Sequence, residues 1–263
     1  MNRRIASLTI LAAATCAAAP VAAQDRDGGD RWRVGVGPQL TPSYPGADTL
    51  SLGPFFVVDR SDDGGPLEFE APDESTGFAV LETGGFAFGP SIGFEGSRKP
   101  EDVGAAVDEV GFTFELGGFV EYRFDAPVRL RLEARRGLGG HKGWVGVASA
   151  DYILREGDKW LFSAGPRVTL ADESYHEAYF GVSPAAAART GLPEFDSDGG
   201  VHAVGAAAGY LTQLSPRWGI YGYVRYDRLV GAAADSPLVR SYGSRDQFFG
   251  GATLTYSFGR GID

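Results

Sequence analysis

Apolar and polar residues alternate most strictly between positions 112 and 136. Phe112, Phe114, Leu116, Gly118, Val120, Tyr122 and Phe124 occupy every second position, with Thr113, Glu115, Gly117, Phe119, Glu121 and Arg123 between them. After Asp125, Ala126 and Pro127 the pattern resumes. Val128, Leu130, Leu132 and Ala134 fall on one face, and Arg129, Arg131, Glu133 and Arg135 on the other. Successive side chains of a strand point to opposite faces, so the stretch predicts a hairpin with one apolar and one charged face. Pairing apolar with apolar sets Tyr122 opposite Leu130, Val120 opposite Leu132 and Glu121 opposite Arg131, a cross-strand ion pair. A slip of one residue would mix the faces.

A half-buried soluble sheet would also produce such a hairpin. Two features point elsewhere: the strands exceed the usual ~5–6 residues, and the apolar face ends on aromatics. About 9–11 tilted residues cross a bilayer as a strand, with aromatic girdles at both interfaces.

The same alternation predicts further strands along the chain. Trp32, Val34, Val36 and Leu40 mark the first, and 50–58 the second. Shorter ones are expected at 66–71 and 76–82, after the turn-forming cluster at 59–65. Phe86, Phe88, Ile92 and Phe94 mark another, ahead of the hairpin. Beyond it come 144–154, 158–170, 201–212, 217–229 and a last strand carrying Phe248, Leu254, Tyr256 and Phe258. These make about twelve strands, and their connections alternate in length. The segments 41–49, 72–75, 97–109, 138–142, 171–200 and 230–245 fall at one end, and mostly short turns at the other. Short turns at one side, longer loops at the other and an even strand count describe an antiparallel up-and-down transmembrane β-barrel. A soluble sandwich has no reason to gather its long loops at one end.

The start of the chain changes the compartment. Residues 1–23 read as a secretory signal peptide: Arg3 and Arg4, then an apolar core from Ile5 to Ala19, then Val21, Ala22 and Ala23 before Gln24. A membrane anchor is the rival, but the core is short and followed by Pro20 and a polar tail. The barrel domain is then 24–263. Cys16 is the single cysteine and lies inside the leader, where Thr15 before it does not suit lipid attachment. The mature chain therefore has neither disulfide nor thiol chemistry. Without Arg3 and Arg4 the balance is 22 basic against 34 acidic residues, a net charge of −12, which argues against nucleic-acid partners. No stretch of the mature region is apolar and long enough for a membrane-spanning helix, a route that a barrel does not need.

Several short pieces, in order, resemble the MipA/OmpV family (MltA-interacting protein). They are Tyr44-Pro45-Gly46, the run from Glu115 to Tyr122, and Gly140-His141-Lys142-Gly143. Then follow Asp172-Glu173-Ser174-Tyr175, Tyr179-Phe180-Gly181-Val182 with Ser183-Pro184, Gly191-Leu192-Pro193, Gly199-Gly200, Ser236-Pro237-Leu238 and the end from Leu254 to Phe258. One departure stands out: many outer-membrane barrels end on an aromatic residue, whereas here Gly259 to Asp263 follow Phe258. The resemblance implies an outer-membrane barrel without catalysis or cofactor. It also implies a scaffold role in which the partners, besides outer-membrane lipid, are periplasmic murein hydrolases and synthases.

Candidate chemistry is sparse. Asp172, Glu173 and His176 share one loop, where a rim acid/base or metal site competes with a solvated polar loop, the favoured reading. His141, among glycines, suits a turn. Tyr175, Tyr179 and Phe180 would serve as a loop plug or a partner contact, against the favoured reading of an ordered loop anchored by its aromatics. Tyr221, Tyr223 and Arg225 would line a solute path, or Trp218, Tyr221 and Tyr226 would sit at the membrane interfaces. The charged face of the central hairpin supplies candidate lumen charges: Glu115, Glu121, Arg123, Arg129, Arg131, Glu133 and Arg135. Mixed signs favour a paired, largely closed interior; in a hydrated pore the arginines would favour anions. Two functions stand: a non-enzymatic scaffold for envelope proteins, and a channel for small solutes.

Overall fold

A computed structural model describes residues 30–61 and 65–259. The leader read at 1–23 and the residues after Gly259 lie outside that range. Twelve strands form one curled antiparallel sheet: β1 (Arg31–Pro42), β2 (Leu50–Ser61), β3 (Thr76–Gly77), β4 (Leu81–Thr83), β5 (Phe86–Glu95), β6 (Thr113–Arg123), β7 (Val128–Gly139), β8 (Trp144–Glu156), β9 (Trp160–Ala171), β10 (Gly200–Gln213), β11 (Trp218–Leu229) and β12 (Asp246–Gly259). Their spatial order is β2-β1-β12-β11-β10-β9-β8-β7-β6-β5-β3, with β4 also on β5. The first strand therefore pairs with the last, Arg31 opposite Gly259 and Leu40 opposite Gly250. This is an all-β barrel architecture of the up-and-down kind.

The central hairpin has the expected register, with Tyr122 opposite Leu130, Val120 opposite Leu132 and Glu121 opposite Arg131. One parity of each strand faces outward and is apolar. Leu52 is 74% exposed, Val224 65% and Leu132 58%. Soluble monomers rarely leave contiguous apolar patches above a few hundred Å², so an apolar exterior running strand after strand suits a bilayer. The other parity faces the lumen. It carries Phe55, Val57, Leu161, Leu211, Tyr221 and Tyr223 in one apolar cluster, and buried charges on β6 to β9.

The third pass of the chain departs from the expectation. Residues 66–71 form no strand, and the expected strand at 76–82 is two fragments, β3 and β4. Nor is 72–75 an outer loop: Asp73 and Glu74 are ion-paired inside the barrel to arginines of β7, β9 and β11. The reason is register. Glu68 N–H donates to the Arg60 carbonyl at 3.1 Å. A ladder continued from that rung would set Glu70 opposite Val58, whose side chain faces outward. A carboxylate on the lipid face is unfavourable, and Pro72 has no N–H to donate. The pass therefore turns inward with Leu67 and Ala71 buried, and it rejoins the wall at Thr76 opposite Ile92.

The long connections fold rather than wander. Among the described residues they hold five short helices: α1 (Pro100–Val103), α2 (Glu173–Phe180), α3 (Pro184–Thr190), α4 (Gly231–Asp235) and α5 (Pro237–Tyr242). Asp172 caps α2 by accepting from Tyr175 N–H, and Ser183 caps α3 through Ala186 N–H. The segment read as irregular at 171–200 thus carries two of them.

Candidate functional site: lumen charges and outer cap

The lumen site is a network of charges spanning five wall strands and the inward segment. Arg129 is 1% exposed and meets three carboxylates: Asp151 of β8 at 2.8 Å, Glu121 of β6 at 3.4 Å, and Glu74. Asp151 is shared, because its other oxygen accepts from Arg167 of β9 at 2.7 Å. Arg167 in turn grips Asp73 with two prongs, Nε to Oδ2 at 2.7 Å and Nη2 to Oδ1 at 3.0 Å. Arg225 of β11 reaches the same carboxylate at 3.6 Å and also pairs with Asp227. Arg131 lies 2.8 Å from Glu133 and 3.5 Å from Glu121, stacked over the Phe119 ring at 3.7 Å. Arg135 binds Glu115 at 2.8 Å and also Glu133. Charges this deep persist only when paired, and each buried charge of the network has an oppositely charged partner within 4 Å.

Glu115, Glu121, Arg129, Arg131 and Glu133 of the predicted lumen set are buried on the inner face, and Arg135 is half-buried there. Arg123 shares their parity but sits exposed at the short-turn rim, 2.7 Å from Glu121. Sequence reasoning missed Asp73, Glu74, Asp151, Arg167 and Asp227. For Asp151 and Arg167 a signal existed: a charge at the inward parity of a strand interior. For Asp73 and Glu74 there was none, since their place follows from the third pass turning inward.

At the long-loop end, α2, α4 and α5 pack over the mouth. Tyr175, Tyr179 and Phe180 point down into one cluster with Val110, Val145, Ala203, Leu229, Ala233 and Val239. Arg98 is buried against this cap, donating to the Tyr179 carbonyl at 2.7 Å and the Asp108 carbonyl at 2.8 Å. Ser236 Oγ donates to the Phe180 carbonyl at 2.7 Å, tying α5 to α2. Burial pushes the Tyr175 and Tyr179 hydroxyls above their ordinary range, so both stay neutral. On the rim, the hydrogen bond from Ser183 and the Arg189 guanidinium hold the Asp108 carboxyl below the usual carboxylate range.

All three histidines are buried at this end. His141 Nε2 meets Glu115 Oε1 at 3.0 Å and its Nδ1 accepts from Gly143 N–H at 3.1 Å, which fixes the connection between β7 and β8. His176 faces His202, ring centroids 5.6 Å apart, with Phe180 against both. The grouping of Asp172, Glu173 and His176 that a rim acid/base or metal site would need does not form, and His176 is buried rather than in a solvated loop. Asp172 is spent on the helix cap, Glu173 is exposed, and His176 turns away into the cap. Among the described residues, no three His, Cys, Asp or Glu side chains are placed to hold a metal.

Tyr221, Tyr223 and Arg225 face the lumen, while Trp218 and Tyr226 face outward; Tyr221 is therefore no interface residue. At the short-turn end a cavity of about 530 Å³ opens between Arg31, Leu67, Asp158, Lys159, Gln213 and Leu214. Asp158 anchors its floor, accepting from Leu67 N–H at 2.9 Å and pairing with Arg31 at 2.5 Å.

A comparison with curated sequences gives no match. Among solved structures the chain is similar to an outer membrane channel from Pseudomonas putida F1, with 10% identity over 88% of this chain and 95% of that one and a TM-score of 0.42. It is also similar to OmpT, an outer membrane protein of Vibrio cholerae, with 9% identity over 89% and 99% and a TM-score of 0.34. The beta domain of the Bordetella autotransporter BrkA gives 11% identity over 88% and 99%, at a TM-score of 0.33. The family model described as MltA-interacting protein MipA matches residues 34–258. With that match covering nearly the whole described barrel, the chain belongs to the MltA-interacting protein MipA family and is an outer-membrane β-barrel protein.

Proposed function

We propose that this protein is a non-enzymatic scaffold of the outer membrane, which holds peptidoglycan hydrolases and synthases at the periplasmic face. One observation carries the reading: the barrel is filled. Asp73 and Glu74 are clasped across the lumen by Arg129, Arg167 and Arg225, and α2 closes the outer mouth with Tyr179 and Phe180 fully buried. A barrel packed this way offers solutes no open path and leaves its surfaces for binding. The short turns face the periplasm in such barrels, so the partner surface comprises 157–159 and 214–217 around the cavity.

The test has two arms. Purified protein in nanodiscs is presented with a purified lytic transglycosylase and a peptidoglycan synthase, and wild type binds while replacement of both turns by Gly-Ser abolishes capture. In a planar bilayer the wild type stays silent. Ohmic current from folded wild type, altered in ion selectivity by Arg131→Glu, would replace the scaffold with a channel for small solutes.

A further inference from the structure

The inward third pass goes beyond a static filling. We propose that residues 65–75 are a displaceable plug, and that the arginine cradle holding Asp73 and Glu74 is a binding site for small dicarboxylates. The cradle belongs to the wall and its occupant does not. Arg129 and Arg131 come from β7, Arg167 from β9 and Arg225 from β11, whereas Asp73 and Glu74 belong to a connection that no ladder holds. The two-pronged grip of Arg167 on Asp73 is the fork geometry by which guanidinium selects carboxylate. Glu74 lies alongside, bound by Arg129 and 3.9 Å from Arg131. Two carboxylates on neighbouring residues thus fill one site, as a single dicarboxylate would.

The cradle has its own support. Asp151 braces Arg129 and Arg167, Glu121 braces Arg129 and Arg131, Glu133 braces Arg131, and Asp227 braces Arg225. These partners hold the guanidinium groups in place when the plug leaves. The plug is also fixed unevenly. Its lower end is tied by Leu67, whose N–H donates to Asp158 and whose carbonyl accepts from Arg155. Its upper part is held in the lumen by Asp73, Glu74, the Phe69 carbonyl, which accepts from Arg129 at 3.2 Å, and the Ser75 hydroxyl, which donates to Glu133 at 2.5 Å, before the chain joins the ladder at Thr76. A dicarboxylate competing for the arginines releases the stretch between Leu67 and Thr76 from the lumen, while Leu67 and the ladder at Thr76 remain as its two hinges. The site is occupied by the chain's own carboxylates at rest, so the plug is autoinhibitory.

The test is single-channel recording of refolded Asp73→Asn/Glu74→Gln, with heat-modifiable gel migration to show folding. Steady openings are expected where wild type is silent, and millimolar succinate reduces the current by half or more. Adding Arg167→Gln keeps the openings and removes the succinate block, and Glu70→Gln alone, on the same segment, stays silent. A folded double variant without openings overturns the plug, and openings indifferent to succinate overturn the site. Should the double variant fail to fold, Ala71→Cys in the otherwise native barrel decides. Its labelling by a membrane-impermeant thiol reagent accelerates severalfold in succinate, and an unchanged rate overturns the proposal.

Discussion

Glu121 and Arg131 stand directly opposite each other on β6 and β7, yet each spends its charge elsewhere as well. Their closest atoms are 3.5 Å apart, while Arg131 lies 2.8 Å from Glu133 and Glu121 lies 2.7 Å from Arg123. A cross-strand pair has become one link of a chain that runs from β6 to β11 along the lumen wall. Energies in such a chain are not pairwise sums.

The link whose loss costs most is Asp151, because it serves Arg129 at 2.8 Å and Arg167 at 2.7 Å together. Asp151→Ala leaves two buried guanidinium groups short of a partner, and removing one member of a buried pair costs about 3–5 kcal/mol. Denaturant unfolding of the protein in lipid vesicles is expected to show this as a lower midpoint. Asp151→Asn, which keeps one acceptor, is expected to fall between alanine and wild type.

Much of the wall is legible in sequence, because strand parity is tested at every residue. A misplaced apolar or charged side chain between Phe112 and Arg136 would face the wrong medium, and the register follows. Residues 66–75 escaped because Leu67, Phe69 and Ala71 alternate with Glu68 and Glu70 like any wall strand. Only the rung between Glu68 and Arg60 shows that this parity is turned the wrong way for lipid. The candidate site was half legible for the same reason. Its wall charges obey parity, whereas Asp73 and Glu74 reach the arginines through a tertiary path that no local pattern encodes. The helices of the outer cap are short and have weak amphipathic signals, so packing on the barrel mouth decides them.

Gly143 sits where the cap meets the wall. A Cβ there would overlap Asp172 Oδ1 and the backbone nitrogen of Tyr175, the two atoms of the α2 N-cap bond. Gly143→Ala is therefore expected to break that cap, whose loss is worth ~1 kcal/mol in an ordinary helix. Limited proteolysis is the check: cleavage within 171–200 accelerates relative to wild type, and cleavage elsewhere does not.

Phe180 is the keystone of the same cap, with no exposed surface and contacts to His176 and His202. Phe180→Ala empties a ring-sized space, and such truncations in packed cores cost about 3–5 kcal/mol. The loss is expected to be local. Hydrogen exchange of α2, α4 and α5 rises, while the amides of β7 and β8 remain protected.

His176 gives the cap a dependence on pH. Burial holds its imidazole below the ordinary histidine value of 6.5, opposed by the Asp198 backbone and the Asp172 carboxylate. His202, Tyr175 and Phe180 pack around it and bring no anion. A histidine whose folded value is depressed binds its proton more readily when unfolded, so stability rises with pH between the two values. The contribution is complete above the unfolded value of 6.5 and is lost as the pH falls through the folded one. Hydrogen exchange of α2, corrected for its intrinsic pH dependence, is therefore expected to be faster at about pH 5 than at neutrality. His176→Phe keeps the ring contact with Phe180 without a proton to gain, and it is expected to reduce this difference, leaving the part that buried His202 contributes. A variant with the full wild-type pH response would assign the effect to another group.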